Sequence, residues 1–374
     1  MTTFGGAELG RGFNGMVMDV HSSDASDKGT LYAMLNKAVQ ETWTVYTIES
    51  TTRGRGTKVT DAHTKNAILD ALRSKSSSGY VAKVALSRMA MSTKEVFEKE
   101  VHASAAIIRA YGKGDAAKYL AMGAIPVSKG LNVLAIIVPS KDIYSMFNLR
   151  CGQTLDDRVI PSNAELKSIT VQLLTSLGIL HKVKWLHTDL KPDNVIYCSD
   201  SKQYKLIDFG GAVSFSSQKL LESSMSFPTV LRTRSPFAWY IAGANATMSI
   251  AMSKTIVSIL YRAQFKAISP SAEIMYEGFS KRVQSMIEAN GGDEDRVRCE
   301  LIRSMLPCID TSALALAFVS VLESQKKLRG SGVTAPARTR MLKFLHERML
   351  DAGNPLYMGH DAKKLAALAK KELL

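Results

Sequence analysis

Cysteine is scarce: four residues in 374, at Cys151, Cys198, Cys299 and Cys308, with no C-x-x-C pair among them. Seven histidines form no cluster at zinc-ligand spacing, so neither a disulfide scaffold nor a structural zinc site is indicated. The four thiols are expected to be free and buried, as in a reducing compartment. The opening Thr3-Phe4-Gly5-Gly6 lacks a basic segment followed by an apolar core, so no secretory signal is expected. Long apolar runs are missing too. Stretches such as Ala313 to Leu322 fall short of a bilayer's width, and no transmembrane segment is expected. No internal repeat or low-complexity segment interrupts the chain. These absences point to a soluble intracellular protein, with cytoplasm, nucleus or a virion as fitting compartments.

Acidic residues are in deficit, 34 Asp and Glu against 48 Lys and Arg, for a net charge of +14. Such a field attracts polyanions such as nucleic acid, an anionic membrane or acidic protein, and says nothing about fold. What is plentiful is apolar material. At 46% hydrophobic residues, a chain of this length can bury a large core and divide into two lobes.

The most informative stretch is His187-Thr188-Asp189-Leu190-Lys191-Pro192-Asp193-Asn194, followed by the apolar Val195-Ile196-Tyr197 and then by Leu206-Ile207-Asp208-Phe209-Gly210. It reads as a loop, a strand, a turn over Ser199 to Gln203, a second strand and a further turn. Phosphoryl transfer needs a carboxylate to orient the attacking hydroxyl and accept its proton. It also needs oxygen ligands for the metal that bridges the phosphates, and a cation to offset the moving charge. Asp189 can be the carboxylate, Asn194 and Asp208 the ligands, and Lys191 the cation.

The two motifs resemble those of the eukaryotic-type protein kinase family, H-R-D-L-x-x-x-N and D-F-G. Lys191-Pro192 resembles its serine/threonine branch. The resemblance implies an α+β, two-lobed protein-kinase-like fold: a small β-rich N-lobe and a mainly helical, divergent C-lobe. It also implies ATP with Mg2+ (or Mn2+) as cofactor and a protein substrate with a Ser/Thr acceptor.

Leu9-Gly10-Arg11-Gly12-Phe13-Asn14-Gly15-Met16-Val17 fits the family's glycine-rich loop, G-x-G-x-x-G-x-V. Glycine lets backbone approach phosphate where a Cβ would collide. A dinucleotide-binding fold could use the same glycines, but that version opens a helix, whereas Met16-Val17-Met18 continues as a strand. Phe13 stands one place earlier than the loop aromatic of many kinases.

Lys83 in Tyr80-Val81-Ala82-Lys83 resembles the strand lysine that pairs with the nucleotide phosphates; Lys58 and Lys75 are rivals outside apolar strands. Its distance from Gly15 implies a large insertion over about 19–79. That insertion reads as helices over Thr30 to Glu41 and Asp61 to Leu72, a strand at Trp43 to Ile48, and loops at Arg53 to Gly56 and Ser74 to Gly79. Glu100 lies on a helix running from Thr93 to Arg109, capped by Ser92 or Thr93. Phe97, Val101 and Ser104 share its inward side. Its spacing from Lys83 resembles the family's lysine–glutamate ion pair, with Glu95 and Glu98 as rivals.

Leu131 to Val138 reads as the last N-lobe strand, with Pro139-Ser140-Lys141-Asp142 as the hinge beneath adenine. Ala164 to His181 reads as a core helix delivering the chain to the catalytic loop. His181 and His187 read as structural groups. Thr188 replaces an arginine that ordinarily grips a phosphorylated activation segment, which predicts a constitutively competent loop. Beyond Gly210 the resemblance thins. Gly211 to Leu231 should be the activation segment. Ser235-Pro236-Phe237 stands where the family has A-P-E, and Ala238 to Tyr261 holds no aspartate to anchor the catalytic loop. This divergence resembles kinases of large DNA viruses.

Helices are expected over Ala272 to Ala289, Asp293 to Met305, Ser312 to Lys327, Ala337 to Leu350 and Ala362 to Leu373. The expected division is 1–138, 139–330 and a basic helical extension, 331–374, able to pack on the C-lobe or to meet membrane or nucleic acid. The resemblance thus implies a serine/threonine protein kinase. A kinase-like small-molecule phosphotransferase and a pseudokinase scaffold are the alternatives.

Overall fold

β-branched and aromatic residues in short alternating runs dictate a sheet in the first part of the chain, and long leucine-rich stripes dictate helices in the second. The structure, a computed structural model, describes residues 8–12, 15–20, 30–49, 56–86, 93–112, 116, 118–128, 131–216, 269–326 and 330–373. It divides into two compact units, Met1–Cys151 and Gly152–Leu374.

In the first unit β1 (Glu8–Gly12) and β2 (Gly15–Asp19) form a hairpin closed at Gly12 and Gly15. The other strands are β3 (Trp43–Thr47), β4 (Thr57–Val59), β5 (Tyr80–Leu86), β6 (Ile125–Ser128), β7 (Leu131–Val138) and β8 (Ile143–Leu149). All pair antiparallel in the order β1-β2-β5-β8-β7-β3-β4, with β6 also on β7. The insertion read from sequence therefore extends the sheet: β3 and β4 continue it beyond β7. Helices α1 (Leu31–Lys37) and α2 (Ala62–Arg73) bury Leu31, Leu35, Ile68 and Leu72 in one core with Trp43, Val84, Ile136 and Phe147. Buried Lys65 is satisfied by donating to the carbonyls of Val39 and Glu41 at 2.9 and 2.7 Å. A third helix, α3 (Thr93–Tyr111), packs on β5, β7 and β8.

The hinge expected at 139–142 is instead a hairpin turn. Pro139–Lys141 forms a short 3-10 turn, Asp142 adopts a left-handed conformation (φ 52°), and the chain returns as β8 along β5. Proline ends a strand equally at a sheet's last strand and at a turn between strands. The first unit thus runs on to Cys151 rather than ending at 138.

In the second unit residues 152–155 line up beside β10 (Val195–Cys198), which pairs with β11 (Gln203–Leu206). The two-residue strands β9 (Trp185–Leu186) and β12 (Val213–Ser214) also pair. Helix α4 (Asn163–Lys182) is capped by the Ser162 hydroxyl accepting from the Glu165 amide, and it buries Leu166, Ile169, Leu173, Leu174, Leu177 and Leu180. Among the described residues, four more α-helices follow: α5 (Ser269–Ala289), α6 (Glu294–Gln325), α7 (Ala335–Leu345) and α8 (Ala362–Glu372).

Two expected helices are thus one, α6, which runs through Pro307 without ending. Its segment Leu306–Gln325 is long and apolar enough to cross a membrane, correcting the sequence reading, and it is mostly buried inside the protein. The expected basic extension is part of the second unit. Helix α8 buries Leu365, Ala366 and Ala369, and its backbone at Lys363 comes within 3.3 Å of where a Cβ on Gly178 of α4 would stand. Cys151 and Cys198 are disulfide-bonded, against the expectation of free thiols. Cys308 is a buried thiol outside any disulfide.

Candidate active site

In the first unit, Gly10 and Gly12 lie on β1 and Gly15 opens β2, while the tip of the loop, Phe13 and Asn14, falls outside the described residues. Val17 stands opposite Lys83 across the β2–β5 ladder. Lys83 Nζ donates to both carboxylate oxygens of Glu100, each at 2.9 Å. The side chains are 18% and 6% exposed, so the pair is held largely away from water. Of the rivals, Glu98 accepts instead from the Tyr46 hydroxyl at 2.8 Å, and Lys58 is exposed on β4. The side chains of Lys75 and Glu95 lie outside the described residues.

In the second unit the loop from His187 to Asn194 draws three predicted residues together. Lys191 Nζ donates to Asp189 Oδ2 at 2.9 Å. The Asn194 amide nitrogen donates to the Asp189 carbonyl at 2.7 Å and to its Oδ2 at 3.0 Å. Both partners are acceptors, which fixes the amide orientation and leaves Asn194 Oδ1 as the atom able to serve a metal. Asp208 takes a left-handed backbone conformation (φ 61°, ψ 73°), and the short 3-10 turn Phe209–Gly211 follows it. His187, fully buried, donates through Nε2 to the Ile207 carbonyl at 2.9 Å and packs its ring 4.7 Å from that of Phe209. It is a structural group, as its sequence context implied.

What orients this loop is a residue the sequence reading did not find. Asp310, on α6, is fully buried and accepts from the backbone amides of His187 and Thr188, both at 2.9 Å. Its Oδ2 also lies 3.0 Å from His181 Nε2. Burial alone would push this carboxyl up. The hydrogen bond and charge of His181, with His187 beside it, outweigh burial and hold it below the ordinary carboxylate value. Residues 217–268, which include the expected activation segment, Ser235-Pro236-Phe237 and the stretch 238–261, fall outside the described residues. The only signal for Asp310 was an acid inside the mainly apolar stretch from Leu306 to Leu322.

Thr188 has φ 64°, a conformation costly for a β-branched residue and held here by the two-amide clamp. Its hydroxyl donates to the Gly211 carbonyl at 2.7 Å.

Residues 131–238 match the family model described as the protein kinase domain. Over that span the chain is similar to a divergent eukaryotic-type protein kinase domain. The chain is 27% identical over 230 residues to the serine/threonine-protein kinase ppk25 of Schizosaccharomyces pombe, covering 56% of this chain and 53% of that one. It is 37% identical over 95 residues to sperm motility kinase Z of Mus musculus, covering 24% and 19%. Among solved structures it is similar to a Stt7 homolog from Micromonas algae, at 14% identity and a TM-score of 0.39, covering 96% of this chain and 89% of that one. The chain spans about half the length of the first of these curated relatives and about a fifth of the second.

Proposed function

We propose that this chain is an ATP- and Mg2+-dependent serine/threonine protein kinase that transfers the γ-phosphate of ATP to protein hydroxyls. The observation carrying the reading is the constellation around Asp189: Lys191 and Asn194 bonded to it, on a loop clamped from behind by Asp310. Asp189 would orient the acceptor hydroxyl and take its proton. Lys191 would offset charge on the transferred group. Gly10, Gly12, Gly15 and Val17 would cover the nucleotide, and Glu100 would hold Lys83 for its phosphates.

The donor set suits a hard divalent cation, since Asn194 offers an amide oxygen and Asp208 a carboxylate, both ligands that Mg2+ favours. Asn194 and Asp208 would hold the metal, which would supply positive charge to offset that of the phosphates. Lys191-Pro192 supports a Ser/Thr acceptor, and the net charge of +14 favours acidic acceptor proteins.

The test is phosphate transfer from labelled ATP with Mg2+, wild type beside Asp189→Ala and Asp208→Ala, with acidic and basic proteins and the enzyme itself as acceptors. Transfer to Ser or Thr, lost in both variants, is the expected result. Nucleotide binding without transfer would overturn the reading in favour of a scaffold or a small-molecule acceptor.

A further inference from the structure

The helix carrying Glu100 is gripped on its other side by the insertion. The hydroxyl of Tyr46, on β3, donates to Glu98 Oε1 at 2.8 Å. The Tyr46 ring meets His102 edge-on, with centroids 5.8 Å apart. Arg109 Nη1 donates to the carbonyl of Ile48, just past the end of β3, at 3.1 Å. At about 100° per residue, positions 98, 102 and 109 fall within roughly 40° of one another around α3, whereas Glu100 lies about 160° from Glu98. The helix is therefore held from two sides, by the insertion on one face and by Lys83 on nearly the opposite one. Rotation about its own axis is the motion that would separate Glu100 from Lys83, and the stripe 98–102–109 resists that rotation.

Tyr46 is itself 3% exposed, so its position is set by the sheet. Burial and the neighbouring Glu98 push its phenol up, which keeps the hydroxyl protonated and donating.

We propose that Tyr46 is a positioning residue: the insertion acts as a built-in brace that holds the Glu100 helix in register with Lys83. The inference rests on the kinase reading for its consequence, and on the first unit alone for its geometry. It assigns to residues 30–49 the task of keeping the ion pair formed without an external partner.

The test uses the full chain. Tyr46→Phe keeps the ring on His102 and removes only the hydroxyl. It should lower kcat/KM for ATP about tenfold, the size expected for losing a charge-assisted hydrogen bond. Glu98→Leu should do the same, while Glu98→Gln, which keeps the acceptor, should stay within about threefold of wild type. In a Glu100→Gln background Tyr46→Phe should have no further effect, because the brace works only through Glu100. Independent, additive losses would overturn the proposal.

A second measurement does not depend on catalysis. Amide hydrogen exchange over 93–111 should quicken in Tyr46→Phe while exchange in α4 stays unchanged. Unaltered exchange in α3 would overturn the brace whether or not phosphate is transferred. A wild-type chain that transfers no phosphate would overturn the kinase reading alone.

Discussion

The hydroxyl of Thr188 is bonded to the carbonyl of Gly211 at 2.7 Å, joining the residue before Asp189 to the turn after Asp208. The loop and the turn are thus fastened by a neutral side chain at the position where the resemblance leads one to look for a phosphate-binding arginine. Treatment with phosphatase should leave phosphate transfer unchanged, measured on the dephosphorylated chain. Thr188→Ser should behave as wild type. Thr188→Val, which strands a half-buried carbonyl, should lose about 1 kcal/mol of stability and a measurable part of its activity.

Asp310 supplies the acceptor for two backbone amides and one histidine. Asp310→Ala should cost about 3–5 kcal/mol in chemical denaturation, since a fully buried charge network loses its centre. The sign of the pH effect follows from its depressed carboxyl. The stabilisation is complete above the unfolded value and is lost as pH falls through the lower folded one. The stability gap between wild type and Asp310→Asn should therefore be constant near neutrality and narrow only below about pH 4.

Lys83 and Glu100 bind each other through two 2.9 Å contacts. Lys83→Met and Glu100→Gln should each lower kcat/KM for ATP by about a hundredfold, the cost of a phosphate contact displaced by an ångström or lost. The double variant should be little worse than either single one, because both remove the same interaction. Steady-state kinetics on the four chains would show it.

Burial pushes the Cys308 thiol up to about 12. Only the thiolate is nucleophilic, so Cys308 should resist iodoacetamide at about pH 8 in the folded chain and react once denaturant is added. Mass spectrometry of the peptide containing it gives the answer.

The parts legible in sequence were those whose partners lie close along the chain. The run from His187 to Asn194 folds on itself, and Lys83 and Glu100 are 17 residues apart on elements with clear periodicity. The helices and strand of the insertion were legible as well, because Thr30 and Asp61 cap their helices and Trp43 to Thr47 is rich in β-formers. Their joining the main sheet was not, since β3 pairs with a strand some ninety residues later. The hinge was misplaced because Pro139 ends β7 equally well before a turn or before a new unit. Asp310 escaped because no local pattern marks an acid that serves a loop 122 residues upstream.

That separation also has a consequence for how the chain is made. Asp189 leaves the ribosome well over a hundred residues before Asp310 does, an interval on the order of ten seconds at roughly 5–20 residues per second. Until α6 has emerged, His187 and Thr188 have no carboxylate to hold their amides. The nascent chain therefore carries Asp189 on a loop without the clamp that shapes it until late in synthesis.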